Sequence, residues 1–260
     1  AIVLAAVLAG AAAFLYLSSR PEAYEATATV QVNVPVPESG NEEAAWLLPP
    51  AGLGMNSYRA LANRPTVLAE ALGVRAHAVQ ADVTVESEAA GLVAEAERLT
   101  GGLMVLVNNV GNYHHGPLAE LDSETFRSMI DSNLLSAFHT CQAAAPLMAG
   151  RGGGRIVNIG YAGAEQLKAR PGIVAYQIAK TGVILYSRSL AKVYAGRGVT
   201  VNVVSPGVLE NSDTFPPLAE VPAGRFGSLD ELAGAVRYLV SDGAAYVNGV
   251  TIEVAGGWNL

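Results

Sequence analysis

A tyrosine and a lysine four positions apart, Tyr176 and Lys180 in the run YQIAK, form the pair in this sequence best suited to proton transfer. On an α-helix, residues with this spacing lie on one face, so the ammonium and the phenol can approach each other. A free tyrosine has a pKa of about 10, but a nearby ammonium favours the phenolate and lowers that pKa. The pair therefore predicts a general acid–base site. The alternative is a surface tyrosine and lysine that pack ring against methylenes.

The elements that would position this pair form an alternating pattern from Arg75 onward. Strands are predicted at residues 76–80, 104–107, 155–159, 199–204 and 250–254. Helices are predicted at residues 87–100, 123–148, 173–195 and 229–241. Strands that alternate with helices indicate a parallel sheet with crossover helices. Several strands are almost entirely apolar, which indicates a sheet covered on both faces.

Composition narrows the functional classes. Only 15% of the residues are charged, against about 25% in a typical globular chain. The net charge of −7 and the absence of a Lys/Arg run argue against a nucleic-acid-binding surface. A single cysteine, Cys141, excludes an intramolecular disulfide and fits a reducing compartment such as the cytoplasm. With no Cys/His cluster in the sequence, we expect no metal site.

Several short motifs follow one another along residues 75–260. They are Asp82 in ADVT, NNVG at 108–111, Asn133 in a predicted helix, GRIVNIG at 154–160, YQIAK at 176–180, SPG at 205–207 and TIEVAGGW at 251–258. Each motif alone is weak, but their order and spacing resemble the short-chain dehydrogenase/reductase family. The resemblance implies an α/β fold with a Rossmann-like doubly wound parallel sheet. It also implies an oxidoreductase that moves a hydride between NAD or NADP and a small carbonyl or alcohol substrate.

The same resemblance assigns catalytic roles. Tyr176 would transfer the proton, Lys180 would also hydrogen-bond the nicotinamide ribose, and Asn133 would hold a water that links Lys180 to solvent. The family's usual serine is replaced by Tyr161, three positions after Asn158. The interval from Tyr161 to Tyr176 is also slightly longer than in the family. Tyr161 would either bind the substrate oxygen or shape the pocket.

Cofactor-binding residues implied by the resemblance lie at the predicted strand ends. The set is Asp82, Asn108, Val110, Gly111, Lys180, Pro206, Gly207 and Val208, with Ser212 as a weaker candidate. Asp82 would cap the adenine, or is simply a turn residue between a strand and a helix. Residues 108–111 would pass beneath the adenine-side ribose, where Gly111 suits a close backbone approach. Residues 206–208 would border the nicotinamide amide.

Residues 1–73 do not share this pattern. Residues 1–17 carry no charge and reach the lower limit of about 17 residues for a membrane-spanning helix. The alternative is a strand and helix of a globular core. Residues 24–36 alternate as a strand does, and residues 56–72 resemble two short helices divided at Pro65. This order resembles the N-terminal part of Wzz-type chain-length determinants, membrane proteins that regulate bacterial polysaccharide length.

The family's opening strand and its Thr-Gly-x-x-x-Gly-x-Gly turn have no counterpart before Asp82, where Gly10 stands alone in an alanine-rich run. The sequence therefore predicts a sheet that is incomplete at its N-terminal half. Residues 1–73 would be a segment of different origin, and residues 74–260 the reductase domain. Residues 18–25 contain one arginine and two glutamates, which is not the basic flank expected on the cytoplasmic side of a membrane.

Three functional hypotheses remain open from the sequence. The first is a cytoplasmic NAD(P)-dependent reductase that forms a homo-oligomer through its long apolar helices. The second is a catalytically inactive, chimeric reductase-like protein, with membrane association through residues 1–17. The third is a membrane-anchored fragment of a polysaccharide chain-length regulator.

Overall fold

Seven parallel strands form one sheet in the computed structural model of this chain, in the order β3-β2-β1-β4-β5-β6-β7. The strands are β1 (Ile2–Val7), β2 (Ala26–Gln31), β3 (Ala76–Ala78), β4 (Val105–Asn108), β5 (Gly154–Ile159), β6 (Val199–Pro206) and β7 (Thr251–Val254). The structure describes the backbone of β1, β2 and β3, and it describes residues 79, 81–212 and 215–259 in full. The predicted short helices at 56–72 and the segment at 8–25 lie outside the described residues.

The two N-terminal strands correct the prediction of an incomplete sheet. Strand β1 pairs in parallel with both β2 and β4, with Ile2 opposite Ala26 on one side and Val105 on the other. Over Ile2–Val7 the structure therefore has a strand of the sheet, which was the alternative to the apolar helix in the sequence analysis. An uncharged run without alternation suits a strand buried on both faces as well as a helix, and strand neighbours on both sides decide the outcome here. The strand expected within residues 24–36 is confirmed as β2.

Five helices are described: α1 (Glu86–Thr100), α2 (Ser123–Ile130), α3 (Ser136–Gly150), α4 (Val174–Tyr194) and α5 (Leu229–Val240). The single helix expected over residues 123–148 is interrupted by a π-helical turn at Asp131–Leu135. Helix α2 begins where Asp122 accepts a hydrogen bond from the Thr125 amide, and α5 begins with a capping box of Ser228 and Glu231. None of the described helices is both long enough and apolar enough to cross a membrane.

Apolar layers cover both faces of the described central strands, as the apolar strand pattern predicts. Side chains alternate between faces along a strand, so Val105 and Val107 pack with α5 while Leu106 packs with α1 and α3. Buried members of the α5 side include Val157, Val204, Leu232, Val236 and Leu239. Those of the other side include Val93, Cys141, Ala144, Met148, Ile156, Leu190 and Val201.

The strand order reverses direction between β1 and β4. The chain winds outward through β2 and β3 on one side of β1, and through β5, β6 and β7 on the far side of β4. In open α/β sheets such a reversal leaves a crevice at the carboxyl ends of the two central strands. The loops after β4, β5 and β6 all leave the sheet from that edge, so the predicted site residues are brought to one end of the molecule.

Candidate active site

Helix α4 carries Tyr176 and Lys180 to the carboxyl end of β5. The Lys180 side chain is buried, and its Nζ donates a hydrogen bond to the backbone oxygen of Ile159, the last residue of β5, at 2.9 Å. The same Nζ lies 5.7 Å from the centroid of the Tyr176 ring. The predicted pairing of these two side chains on one helix face is therefore present, and the lysine ties that face to the sheet.

The Tyr176 phenol is part of an aromatic cluster formed with Tyr113, Tyr161 and Trp258. The Tyr176 ring meets Tyr113 edge-on at 5.1 Å between centroids and Tyr161 edge-on at 5.5 Å. Tyr161 in turn meets Trp258 at 6.0 Å. Tyr113 was not among the predicted site residues, although it lies two residues after Gly111 in the loop that follows β4. That position beside the predicted cofactor loop was the signal that could have identified it.

These surroundings shift the acidity of both members of the pair. Burial raises the pKa of Tyr176 above its usual range, and the nearby phenols of Tyr161 and Tyr113 raise it further. Burial also lowers the pKa of Lys180, to about 8. The expectation that Lys180 produces a net lowering of the Tyr176 pKa is therefore wrong for the chain alone. Removal of the phenol from water disfavours the phenolate more strongly than one ammonium stabilises it.

Asn133 lies in the π-helical turn that separates α2 from α3, and its side chain is almost completely buried. Its Nδ2 donates to the backbone oxygens of Asn112 at 2.9 Å and Met129 at 3.0 Å. These carbonyls can only accept, so the amide orientation is fixed. Its Oδ1 is buried and has no hydrogen-bond partner among the described residues. This arrangement leaves one strong acceptor available beside the Tyr176–Lys180 pair.

Gly111 makes that arrangement possible. A Cβ at this position would overlap Asn133 Oδ1 and would lie 3.5 Å from Lys180 Nζ. The absent side chain therefore brings the loop after β4 into direct contact with the acceptor and near the ammonium. The sequence prediction that Gly111 permits a close approach agrees with this packing, while its contact with a cofactor stays a prediction.

We expect Gly111→Ala to lower kcat by about tenfold or more, because Asn133 must move to admit the methyl group, and to lower the free energy of unfolding by about 1–3 kcal/mol. Steady-state kinetics and denaturant unfolding would measure the two effects. The matched control is Gly91→Ala, since Gly91 is exposed on α1 and a Cβ there meets nothing within 4 Å. That control should keep full activity, and its free energy of unfolding should rise by about 0.5–1 kcal/mol. Unchanged kcat in Gly111→Ala would contradict the proposed tight packing.

Tyr161, which the sequence resemblance places at the family's serine position, contacts residues that the sequence analysis did not identify. The Arg170 guanidinium lies 5.8 Å from the Tyr161 ring centroid and 5.7 Å from that of Trp258. Arg170 Nη2 donates to Asn259 Oδ1 at 2.5 Å, and Asn259 Nδ2 donates to the Tyr161 hydroxyl oxygen at 3.4 Å. Burial raises the pKa of Tyr161, whereas Arg170 and Asn259 oppose that rise.

Asp82 follows β3 in the turn that leads into α1. Its carboxylate accepts hydrogen bonds from the Thr84 amide at 3.0 Å and the Thr84 hydroxyl at 2.6 Å. These contacts match the interpretation of Asp82 as a turn residue before a helix. Its contact with adenine stays a prediction.

Asn108 is the predicted cofactor residue whose side chain is most fully engaged elsewhere. Its Nδ2 donates to Asn158 Oδ1 at 2.8 Å, and its Oδ1 accepts from the Thr140 hydroxyl at 2.8 Å. Asn158 continues the chain of bonds to the Ser187 hydroxyl at 2.7 Å. The buried network joins β4 and β5 to α3 and α4, so only the backbone of Asn108 is free to approach a ligand. Ser187, on α4, is the last member of this network.

The remaining cofactor candidates lie in the loops that leave the carboxyl ends of β4 and β6. Val110 is buried against α1 in a small apolar cluster with Val83 and Leu92. Gly207 donates its amide to the Val254 oxygen at 3.0 Å, and a Cβ there would lie 2.8 Å from Ala255 Cα. Pro206 accepts from the Ala162 amide at 3.1 Å, Val208 accepts from Gly227 at 3.0 Å, and the Ser212 hydroxyl accepts from the Leu209 amide at 3.0 Å. These bonds fix the loop after β6 beside the loop that carries Tyr161.

Comparison with known proteins agrees with this geometry. Residues 55–259 match the protein-family profile described as enoyl-(acyl carrier protein) reductase. The chain is 37% identical over 199 residues to nodulation protein G of Azospirillum brasilense, which covers 73% of this chain and 80% of that protein. It is 34% identical over 203 residues to the 3-oxoacyl-[acyl-carrier-protein] reductase FabG of Escherichia coli K12, which covers 75% and 82%. Neither relative is named as a polysaccharide chain-length determinant.

Solved structures extend the similarity over most of the chain. A structure described as a short-chain alcohol dehydrogenase from Sinorhizobium meliloti 1021 superposes with a TM-score of 0.73 at 27% identity, over 90% of this chain and 86% of that one. Another, described as a gluconate dehydrogenase from Agrobacterium tumefaciens, gives 0.71 at 30% identity, over 89% and 85%. The family match begins at residue 55, inside the segment that the sequence assigned to a different origin. The chain belongs to the short-chain dehydrogenase/reductase family and is an oxidoreductase of that type.

Proposed function

We propose that this enzyme interconverts a carbonyl compound and its alcohol with NAD or NADP, and that Tyr176 is the general acid–base. The observation that carries the proposal is the position of Tyr176 and Lys180 at the carboxyl end of β5, with the Lys180 Nζ bonded to Ile159 O at 2.9 Å. A proton donor, a buried ammonium and the free acceptor of Asn133 meet at the edge where α/β sheets bind ligands.

The surrounding residues fit a nicotinamide dinucleotide. The reversal of strand order between β1 and β4 creates the crevice that such cofactors use. The Gly111 position, where a Cβ would overlap Asn133, holds the loop after β4 against the Asn133 amide at this end of the sheet. We assign the adenine to Asp82, its ribose to the backbone of 108–111, the nicotinamide ribose to Lys180 and the nicotinamide amide to residues 206–208. When bound, the cofactor supplies or accepts the hydride.

The two shifted pKa values suit the reduction direction. A raised pKa keeps the Tyr176 phenol protonated at neutral pH, so it is ready to donate to a carbonyl oxygen. Lys180, with a pKa of about 8, can return a proton to the tyrosine and be recharged from solvent near neutral pH. Asn133 Oδ1 can accept a hydrogen bond from a water molecule beside Lys180. That water would complete the path by which protons reach Lys180 from solvent. In the oxidation direction Tyr176 must lose its proton, and the positive charge of the oxidised nicotinamide would assist Lys180 there.

The phosphate-binding turn is the part of the proposal that departs from the family. Residues 8–25, between β1 and β2, contain Gly10 as their single glycine. Multiple glycines in this turn normally let the backbone approach the pyrophosphate. We therefore expect this chain to bind the cofactor more weakly than relatives that have the full glycine-rich turn.

We further propose a cytoplasmic homo-oligomer. The exposed apolar side chains Leu185 and Val193 lie on α4, with exposed fractions of 67% and 64%. A second copy of the chain would remove them from water. The cytoplasm contains the nicotinamide pool that the reaction needs.

For the substrate class, we rely on the relative named 3-oxoacyl-[acyl-carrier-protein] reductase, whose name indicates acyl thioesters with an oxo group on the third carbon. Acetoacetyl coenzyme A is the simplest soluble probe. We expect the whole chain to oxidise NADH or NADPH in its presence and to form one hydroxyacyl thioester for each cofactor consumed. Cofactor oxidation without hydroxyacyl product would contradict carbonyl reduction, and no reaction with this probe would exclude short 3-oxoacyl thioesters as substrates.

A further inference from the structure

The orientation of the Asn259 side-chain amide is fixed by two neighbours that leave no choice. Arg170 Nη2 lies 2.5 Å from Asn259 Oδ1, and a guanidinium can only donate, so the facing atom must be the oxygen. The other amide atom lies 3.2 Å from the backbone oxygen of Ala162, which can only accept, so that atom is the nitrogen. Both partners require the same orientation.

That orientation decides whether the Tyr161 hydroxyl donates or accepts in its hydrogen bond with Asn259. Asn259 Nδ2 lies 3.4 Å from the Tyr161 hydroxyl oxygen, so Tyr161 accepts in this contact. Its own O–H hydrogen is then free to be donated elsewhere. The Tyr161 and Tyr176 rings meet edge-on with centroids 5.5 Å apart, so the two phenols share one region of the site.

We propose that Arg170 and Asn259 are positioning residues that hold the Tyr161 hydroxyl as a hydrogen-bond donor to the substrate oxygen protonated by Tyr176. The inference rests on the proposed carbonyl reduction. It adds the contacts that would let a tyrosine take the role of the family's serine. Tyr161 alone could point its hydrogen in either direction around its C–O bond. The amide donor of Asn259 removes one of these choices, and the guanidinium holds that amide in place.

Packing around Arg170 and Asn259 restrains both residues. Arg170 lies near the rings of both Tyr161 and Trp258, which restrains its side chain. Asn259 has a left-handed φ of 66°, which asparagine tolerates better than most residues, and its backbone oxygen accepts from Gln166 Nε2. Gly163 has a φ of 80°, and a Cβ there would lie 2.9 Å from Asn259 Cβ. Asn259 is therefore closely packed on the loop that connects Tyr161 to Tyr176.

Asn259→Asp tests the polarity directly. Aspartate preserves the bond to Arg170 and turns it into an ion pair, but it cannot donate to Tyr161 or to the backbone oxygen of Ala162. The Tyr161 hydrogen should then turn toward the carboxylate and leave the substrate oxygen. We expect kcat/KM with NADPH or NADH and acetoacetyl coenzyme A to fall by about tenfold, the effect of one lost hydrogen bond. The kcat/KM of Tyr161→Phe should be lower than that of the wild type by a similar factor. Adding Asn259→Asp to Tyr161→Phe should cause no further loss of kcat/KM.

Asn259→Ala separates polarity from packing. It removes all of the side chain's hydrogen bonds but gives Tyr161 no new acceptor, so the proposal predicts a smaller loss of kcat/KM than in Asn259→Asp. A purely structural role predicts that the loss of kcat/KM in either variant persists when Tyr161 is replaced by phenylalanine. Thermal unfolding of each variant would show whether it folds.

Each outcome has a definite meaning. The proposal is supported if Asn259→Asp lowers kcat/KM in the wild-type enzyme but causes no further loss in the Tyr161→Phe variant. Equal loss in both backgrounds, or no loss in either, overturns it. Tyr176→Phe distinguishes this failure from failure of the proposed function: if that variant retains full turnover, the acid–base assignment is wrong whatever Asn259 does.

Discussion

Tyr176→Phe is expected to lower kcat by about 10²–10⁴-fold, the usual contribution of a positioned general acid. Phenylalanine keeps the ring that packs edge-on against Tyr113 and Tyr161, so the fold and the shape of the site should persist. Only the proton donor is removed, and affinity for the cofactor should change little. Steady-state turnover and a cofactor titration on the same preparation would separate the two quantities.

A tyrosine elsewhere on the same helix provides the control for that experiment. Tyr186 lies on α4, and its hydroxyl accepts from Gln142 Nε2 at 3.3 Å, away from the aromatic cluster. Tyr186→Phe should therefore keep wild-type kcat. Turnover in Tyr176→Phe equal to that of the control would mean that the proton comes from another group.

Lys180→Met is expected to lower kcat by about 10²-fold or more, because it removes the charge that supports proton transfer by Tyr176. The wild-type enzyme should also lose activity in the reduction direction as the pH rises through about 8, where Lys180 loses its proton. Lys180→Met should show no such step. The measurement is a pH profile of kcat for both proteins, and a flat wild-type profile across that pH would contradict the assigned role.

The same lysine gives a stability prediction whose sign follows from its lowered pKa. Between the folded-state pKa of about 8 and the ordinary value of 10.5, the unfolded chain binds more protons at this position than the folded chain. Stability contributed by this group therefore rises with pH across that window. Denaturant unfolding of Lys180→Met should lack this rise. A rise of equal size in both proteins would assign it to other groups.

Secondary structure was predictable where the local pattern was distinctive. Strands β4 to β7 and helices α1, α4 and α5 agree with the sequence pattern, because short apolar runs and longer amphipathic stretches differ locally. Strand β1 was left undecided, since an uncharged run such as Ile2–Val7 fits a buried strand or a helix equally well. Its pairing with β2 and β4, distant in sequence, decides between them. The missing glycine motif also suggested missing strands, yet strand pairing does not require the motif.

Residue spacing alone predicted only the Tyr176–Lys180 pair of the candidate site, and distant residues such as Asn133 were predicted from the family resemblance. The spacing of Tyr176 and Lys180 placed them together, whereas Arg170 and Asn259 reach the site through contacts such as the bond between Tyr161 and Asn259, which are 98 residues apart. No local signal marks such a contact. The direction of the Tyr176 pKa shift was also wrong from sequence, because the spacing reveals the ammonium but not the aromatic cluster that buries the phenol.

Calorimetric titration of the whole chain with NADH and with NADPH tests the central claim most directly. The account predicts saturable binding of at least one of them with a dissociation constant below about 1 mM. The affinity should be weaker in Lys180→Met, because Lys180 is assigned to the nicotinamide ribose. No heat of binding for either cofactor at millimolar concentration, with the chain shown to be folded, would contradict a nicotinamide-dependent oxidoreductase built around Tyr176 and Lys180.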